Sequence, residues 1–156
     1  MVQKYTTLIN DQYQTVLAEE NSFDYPASDM DQPQKVVDMC NSLLKMDRLA
    51  EEYLYLFCYN SKMRLLGFFE INHGTVNEIK VNPRDIFMKA LLLGSTNIII
   101  CHNHPSGNTV ASDADISLTK RLVEGSKLIG IKLLDHIIIG RGRYQSLYEG
   151  GIIKNE

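Results

Sequence analysis

Apolar positions recur along this chain at two spacings, and the spacing changes several times. Val36, Val37, Cys40, Leu43 and Leu44 recur at helical intervals and predict a helix of about 13 residues. It follows the polar, Pro-containing connection "SFDYPASDMDQP". Asp31 lies three residues before Gln34, close to a capping box, and Pro33 falls in the first turn. "EEYLYLFCYN" and "RLLGFFEIN" are rich in aromatic and aliphatic residues and are joined by a short polar turn, which predicts a β-hairpin. His73-Gly74 reads as a further turn and "TVNEIKV" as another short strand. Asn82-Pro83 opens a second helix and Gly94 closes it, with Ile86, Phe87, Ala90 and Leu91 on one face. "NIIICH" is continuously apolar between turn signals, the pattern of a central strand covered on both faces. A third helix runs from Ser112 to about Leu128. "IKLLDHIIIG" then pairs with "RGRYQSL" across Arg141-Gly142. Strand and helix alternate in the second half, which implies an α/β sandwich with one mixed sheet between helices.

The ends and the composition add little to this outline. Residues 1–30 form an N-terminal extension in which "YTTLIND" and "YQTVLAE" suggest a loose hairpin, and 31–156 form the main domain. There is no internal repeat, and no linker long enough to divide the chain. Apolar residues make up 44% and charged residues 22%, an ordinary balance for a globular domain. No apolar run approaches the roughly 20 residues needed to span a bilayer. The first residues lack the basic-then-apolar layout of a secretory signal, so a cytoplasmic location is expected. Cys40, Cys58 and Cys101 are odd in number and far apart, which argues against a disulfide framework and predicts small buried thiols. The net charge of −3 gives no general pull toward nucleic acid. From Ser112 onward, seven Lys/Arg meet six Asp/Glu, so no strong basic patch is hidden there either.

The chemistry gathers at "CHNHPSGNTVASDAD". In an extended strand, residues two apart face the same side, so His102 and His104 can present both imidazoles to one ion. The C-terminal end of such a strand is where open α/β sheets commonly hold ligands. Ser112 has the chemistry of an N-cap, and Asp115, three residues later, sits in the first helical turn, where the helix dipole favours a carboxylate. Two nitrogens, one oxygen and a fourth place for water make the catalytic zinc arrangement. Each part has an ordinary reading as well: His-x-His as polar neighbours at a strand end, Ser-x-x-Asp as a cap.

Taken together, "HNHPSGNTVASDAD" resembles the JAMM motif of the JAB/MPN metallopeptidases. More narrowly, "HGTVNEIKVNPRDIFMKALLLGSTNIIICHNHPSG", with "SDADISLTKRL" and "GIKLLDHIIIG", is similar to the bacterial RadC family over about two-thirds of the chain, from Glu51 to Ile153. The resemblance implies a three-layer α/β/α sandwich with a mixed central sheet, the JAB/MPN or cytidine-deaminase-like fold. It implies Zn2+ held by His102, His104 and Asp115. It also implies a glutamate on an earlier strand as general acid/base, for which Glu70, in the apolar context "GFFEI", is the first choice and Glu78 the alternative. Ser112 corresponds to the family's serine, expected to steady the oxyanion of a tetrahedral intermediate. The expected activity is metal-dependent hydrolysis of a peptide or isopeptide bond in an unidentified peptide or protein substrate.

Asp135-His136 is a polar pair in an apolar strand. Adjacent residues face opposite sides, so at most one can orient a zinc-bound histidine. Arg141 and Arg143 read as solvent-facing hairpin residues. Zinc deaminases share the general fold, but their H-x-E…P-C-x-x-C signature is absent, since Asn103 follows His102. The competing expectation is a RadC-like metal-binding accessory module associated with DNA repair or mobile-element DNA, without peptidase activity. The 30 residues before the domain are too few for the helix-hairpin-helix region of longer members, which argues against autonomous DNA binding. Salt-dependent DNA retention that survives Asp115→Ala would favour that module. Neither a membrane partner nor a particular oligomeric state is indicated.

Overall fold

Nine-residue runs such as "KLLDHIIIG" can be buried on both faces only inside a layered molecule, and that is their place here. The computed structural model describes residues 1–27, 29–74 and 81–154. In chain order the elements are β1 (Val2–Ile9), β2 (Thr15–Phe23), α1 (Pro33–Leu44), a 3₁₀ turn (Met46–Arg48), β3 (Glu52–Tyr59), β4 (Leu65–Gly74), α2 (Pro83–Leu92), β5 (Asn97–Asn103), α3 (Asp113–Ile129), β6 (Lys132–Gly140) and β7 (Arg143–Ser146). The strands form one mixed sheet in the order β2-β1-β4-β3-β5-β6-β7. β5 and β6 are parallel, as are β1 and β4, and the other neighbours are antiparallel. No helix among the described residues is long and apolar enough to cross a membrane.

Alternation along the strands sorts the core into two layers. On one face, Tyr55, Phe57, Phe68, Ile99, Cys101, Ile137 and Ile139 pack against Val36, Val37, Met39 and Cys40 of α1. On the other, Leu54, Leu56, Phe69, Ile98, Ile100 and Ile138 pack against Ile86, Phe87 and Ala90 of α2 and Leu122 of α3. The result is an α/β/α sandwich with a mixed sheet in the middle, consistent with the JAB/MPN fold. All three cysteines are buried free thiols.

Two interruptions of the ladder help to shape the site. Between β5 and β6 the partners step from Ile98↔Leu133 to Ile99↔Asp135, leaving Leu134 as an extra residue. Between β3 and β4 they step from Leu54↔Asn72 to Tyr55↔Glu70, leaving Ile71 over. Each is a bulge that resets which side chains share a face.

The helix starts differ in how closely they follow the local signals. Asn82 caps α2 by accepting from the Arg84 amide at 3.1 Å, as its sequence suggests. The capping box expected at Asp31 and Gln34 does not form. Gln32 is the N-cap of α1 without a side-chain bond, because Asp31 pairs with Lys35 at 2.6 Å and Gln34 donates to Asp38 at 2.8 Å. His73-Gly74 is not a turn either: β4 continues through both, and His73 stacks on Tyr53 with ring centroids 4.8 Å apart. The strand expected at "TVNEIKV" lies almost wholly outside the described residues. The N-terminal hairpin forms and joins the main sheet through Lys4↔Phe68 and Tyr5↔Phe69.

Candidate metal centre

β5 delivers His102 and His104 to the same side of its C-terminal end, and α3 begins beside them. Asp115 occupies the third position of that helix within a complete capping box. The Ser112 Oγ accepts from the Asp115 amide at 3.1 Å, and the Ser112 amide donates to Asp115 Oδ2 at 2.9 Å. The carboxylate is thereby held on a rigid helix start with its oxygens turned to the strand. Its Oδ1 lies 3.2 Å from His102 Nε2 and its Oδ2 3.2 Å from His104 Nε2, while the two Nε2 atoms are 2.9 Å apart. The structure thus brings His102, His104 and Asp115 together at one point.

The hydrogen bonds behind these rings decide which nitrogens carry protons. The Thr119 hydroxyl donates to the Asp115 carbonyl at 2.8 Å, which uses its one proton. At 2.7 Å from His136 Nδ1, the same oxygen must therefore accept, placing the His136 proton on Nδ1. Burial holds His136 well below the usual imidazole range, so the ring is neutral and its Nε2 accepts from His102 Nδ1–H at 2.7 Å. In neutral His102 that leaves a lone pair on Nε2, facing the centre. His104 Nδ1–H donates to the Asn108 carbonyl at 2.7 Å, so its Nε2 is likewise the free acceptor. Such outer partners are what fix a ligating histidine's tautomer.

The carboxylate beside this trio is Glu52. Its Oε1 lies 3.6 Å from His102 Nε2 and 3.8 Å from His104 Nε2, and the ligand atoms of all four residues lie within 4.8 Å of one another. Glu70, the expected general base, is elsewhere. It is the ladder partner of Tyr55, whose hydroxyl donates to it at 3.4 Å, and so it belongs to the α1 side of the sheet, where it is exposed. His102 pairs with Leu54, which belongs to the opposite side. A polar residue within an apolar strand is a real signal, but it indicates only an unusual position, not which face it occupies. Glu78 lies outside the described residues. Glu52 could have been found from pairing: β3 runs antiparallel to β5, so its first residues lie beside the last residues of the His-x-His strand.

Charge is strongly coupled here. Burial raises the Glu52 carboxyl above its ordinary value, and Asp115 adds to this, while the two histidines oppose it. Burial would also raise Asp115, but hydrogen bonds from His102 and His104 outweigh it and hold that carboxyl far below the usual range. The Asp115 hydrogen bond chiefly raises His104. With both rings neutral, two imidazole lone pairs and two carboxylates converge with no donor among them. The hydrogen bonds to Asp115 form only when a ring carries a second proton, so the centre calls for a positive charge, supplied by that proton or by a metal ion. Four donors of this type around a tetrahedral zinc-sized ion would stand about 3.3–3.5 Å apart. The three short separations are slightly tighter than that, and the two from Glu52 slightly longer. The residues fit a small divalent ion, with Glu52 the most loosely placed of the four.

The RadC-like JAB domain family matches residues 30–152. The chain belongs to the RadC-like JAB family. Similarity to individual proteins over part of their length agrees. A UPF0758 protein of Clostridium acetobutylicum is 45% identical over 103 residues, 66% of this chain and 45% of that protein. One from Clostridium tetani is 47% identical over 109 residues, 70% of this chain and 48% of the relative. One from Methanosarcina barkeri is 42% identical over 110 residues, again 70% and 48%. The chain spans about half the length of the curated relatives it matches.

Within this RadC-like JAB domain the remaining polar candidates separate by face. His136 joins the centre through His102, whereas Asp135 sits on the other face as the partner of Ile99. There its carboxylate accepts from Ser146 Oγ at 2.5 Å, the His136 amide at 2.7 Å and the Tyr148 amide at 3.0 Å. Thr119, which fixes the His136 tautomer, has no sequence signal beyond lying one helical turn after Asp115. His73 lies 3.6 Å from the Glu51 carboxylate, outside the cluster. Arg141 and Arg143 are exposed.

Proposed function

We propose that this domain is a zinc-dependent hydrolase of the JAMM type that cleaves a peptide or isopeptide bond. One observation carries the reading: Glu52, His102, His104 and Asp115 converge within 4.8 Å, with both histidine tautomers set to present Nε2. His102, His104 and Asp115 are the residues that would hold the ion. When bound, zinc supplies Lewis-acid polarisation of the scissile carbonyl and brings the pKa of a water at the centre toward about 7. The Glu52 carboxylate accepts a proton from the attacking water and returns it to the departing amine nitrogen, so one group serves as base and then acid. Ser112 uses its oxygen as the cap acceptor and keeps its hydroxyl proton, which it donates to the oxyanion of the tetrahedral intermediate. The substrate in this reading is a peptide or protein carrying the scissile amide.

The test joins metal analysis to hydrolysis. The purified chain, loaded with one equivalent of zinc, is assayed against linear and isopeptide-linked peptides. Glu52→Gln, held at saturating zinc to offset a weaker affinity, should still bind the ion and lose at least about 100-fold in turnover, the usual contribution of a general acid/base. Glu70→Gln should leave turnover unchanged. Hydrolysis indifferent to Glu52→Gln, or a wild-type protein that takes up no zinc, overturns the proposal.

A further inference from the structure

The middle residue of the H-N-H motif points away from the metal centre, and its side chain is buried all the same, at 1% exposure. The β3–β5 ladder ends at Leu54↔His102. Beyond that pair the strands no longer exchange backbone bonds, and the Asn103 side chain takes over. Its Oδ1 accepts from the Tyr53 amide at 2.7 Å, and its Nδ2 donates to the Glu51 carbonyl at 2.9 Å. The two bonds grip the backbone on either side of Glu52 and on no other residue. A carboxamide carries its donor and its acceptor on separate atoms in one plane, as a peptide group does.

We propose that Asn103 is a positioning residue for Glu52: its amide replaces a ladder rung where β3 leaves β5, holding the Glu52 carboxylate beside the metal ligands. This deepens the hydrolase reading and rests on it, because a fixed Glu52 matters only if Glu52 acts there. The arrangement resolves a conflict in the strand geometry. Continued pairing would draw the start of β3 against His104, while free separation would release Glu52 to solvent. A side-chain bridge keeps the strands parted by a set amount. The same three-residue motif therefore supplies two ligands on one face and the clamp for the neighbouring carboxylate on the other.

The experiment uses Asn103→Ala, Glu52→Gln and the double variant, with zinc ion as the probe and a chelator competition as the readout. Glu52→Gln removes a negative charge beside the cation and should weaken zinc about tenfold; Asn103→Ala should do much the same. In the Glu52→Gln background, Asn103→Ala should add less than about twofold, the non-additivity of residues acting through one another. Equal losses in both backgrounds, or no loss at all, overturn the proposal. A metal-free arm separates this from failure of the zinc reading. Hydrogen exchange of the Tyr53 amide should rise at least about tenfold in Asn103→Ala while Leu56 and Ile100 stay protected, and its crystal structure should show Glu52 displaced from the histidines. An unmoved Glu52 sinks the clamp whatever zinc does.

Discussion

Each ring nitrogen of His102 meets a different kind of neighbour, and the contrast sets where its proton resides. The order Thr119, His136, His102 runs from a helix carbonyl to the metal centre, and every link has one possible direction. Thr119→Val removes the link that sets the direction while nearly preserving shape. It leaves the His136 Nδ1–H buried without an acceptor, which should cost about 1–3 kcal/mol in stability. Zinc affinity should fall about 10–100-fold, as for other outer partners of ligands. Denaturant unfolding and chelator competition measure the two effects. The same residues predict how the metal-free protein responds to pH. Asp115 lies below its ordinary 3.8, so its contribution is present above that value and is lost as the solution is acidified through its folded pKa. His104 lies above its ordinary 6.5, so its contribution is complete below that value and is lost as pH rises through the higher folded one. Thermal stability in chelator should therefore peak between these limits, and Asp115→Asn should flatten both flanks.

At the scale of elements, the site depends on irregularities. Counting in twos from Leu133, which packs beneath α2 and α3, would turn His136 toward α1. The extra Leu134 reverses the count, and His136 meets His102. The segment between β5 and α3 is held just as closely. The Ala111 amide donates to Gln145 Oε1 at 3.0 Å, and Gly140 lets the loop lie against β6. A β-carbon at Gly140 would come within 2.7 Å of the Gly107 carbonyl oxygen and 2.8 Å of the Thr109 methyl. The first contact is with backbone and cannot be relieved by a rotamer change. Gly140→Ala should displace the loop that carries the Asn108 carbonyl and so loosen His104. We expect a loss of about 1–3 kcal/mol in stability, typical of overpacking, with weaker zinc binding in calorimetry. A full loss of folding would show that the loop supports more than the centre.

For the whole molecule, the centre lies at one end of a sheet whose two faces are covered without it. Tyr55, Phe57, Phe68 and Ile137 on the α1 side, and Leu56, Phe69, Ile98 and Ile100 on the other, are buried at 0–5% exposure. Each such side chain contributes about 1.5–3 kcal/mol on burial, so the domain is expected to fold without an ion. Removing metal should leave the far-UV circular dichroism spectrum unchanged. Adding zinc should raise the melting temperature in proportion to the logarithm of its free concentration, as for any ligand of the native state. Unfolding on chelation would place the protein among domains that fold only with metal.

The helices, the central strands and the His102–His104–Asp115 trio were legible in the chain because each rests on a local repeat. Residues two apart share a face of a regular strand, and a capping box joins residues three apart, so spacing within one segment already proposes which side chains can meet. The placement of Glu52 rather than Glu70 beside the trio, the inward turn of His136 and the grip of Asn103 on β3 were decided only by tertiary structure. All three depend on which strands pair, where the pairing ends and where an extra residue enters the ladder. A one-residue change in register moves a side chain to the opposite face, and nothing within a single strand's sequence specifies that choice.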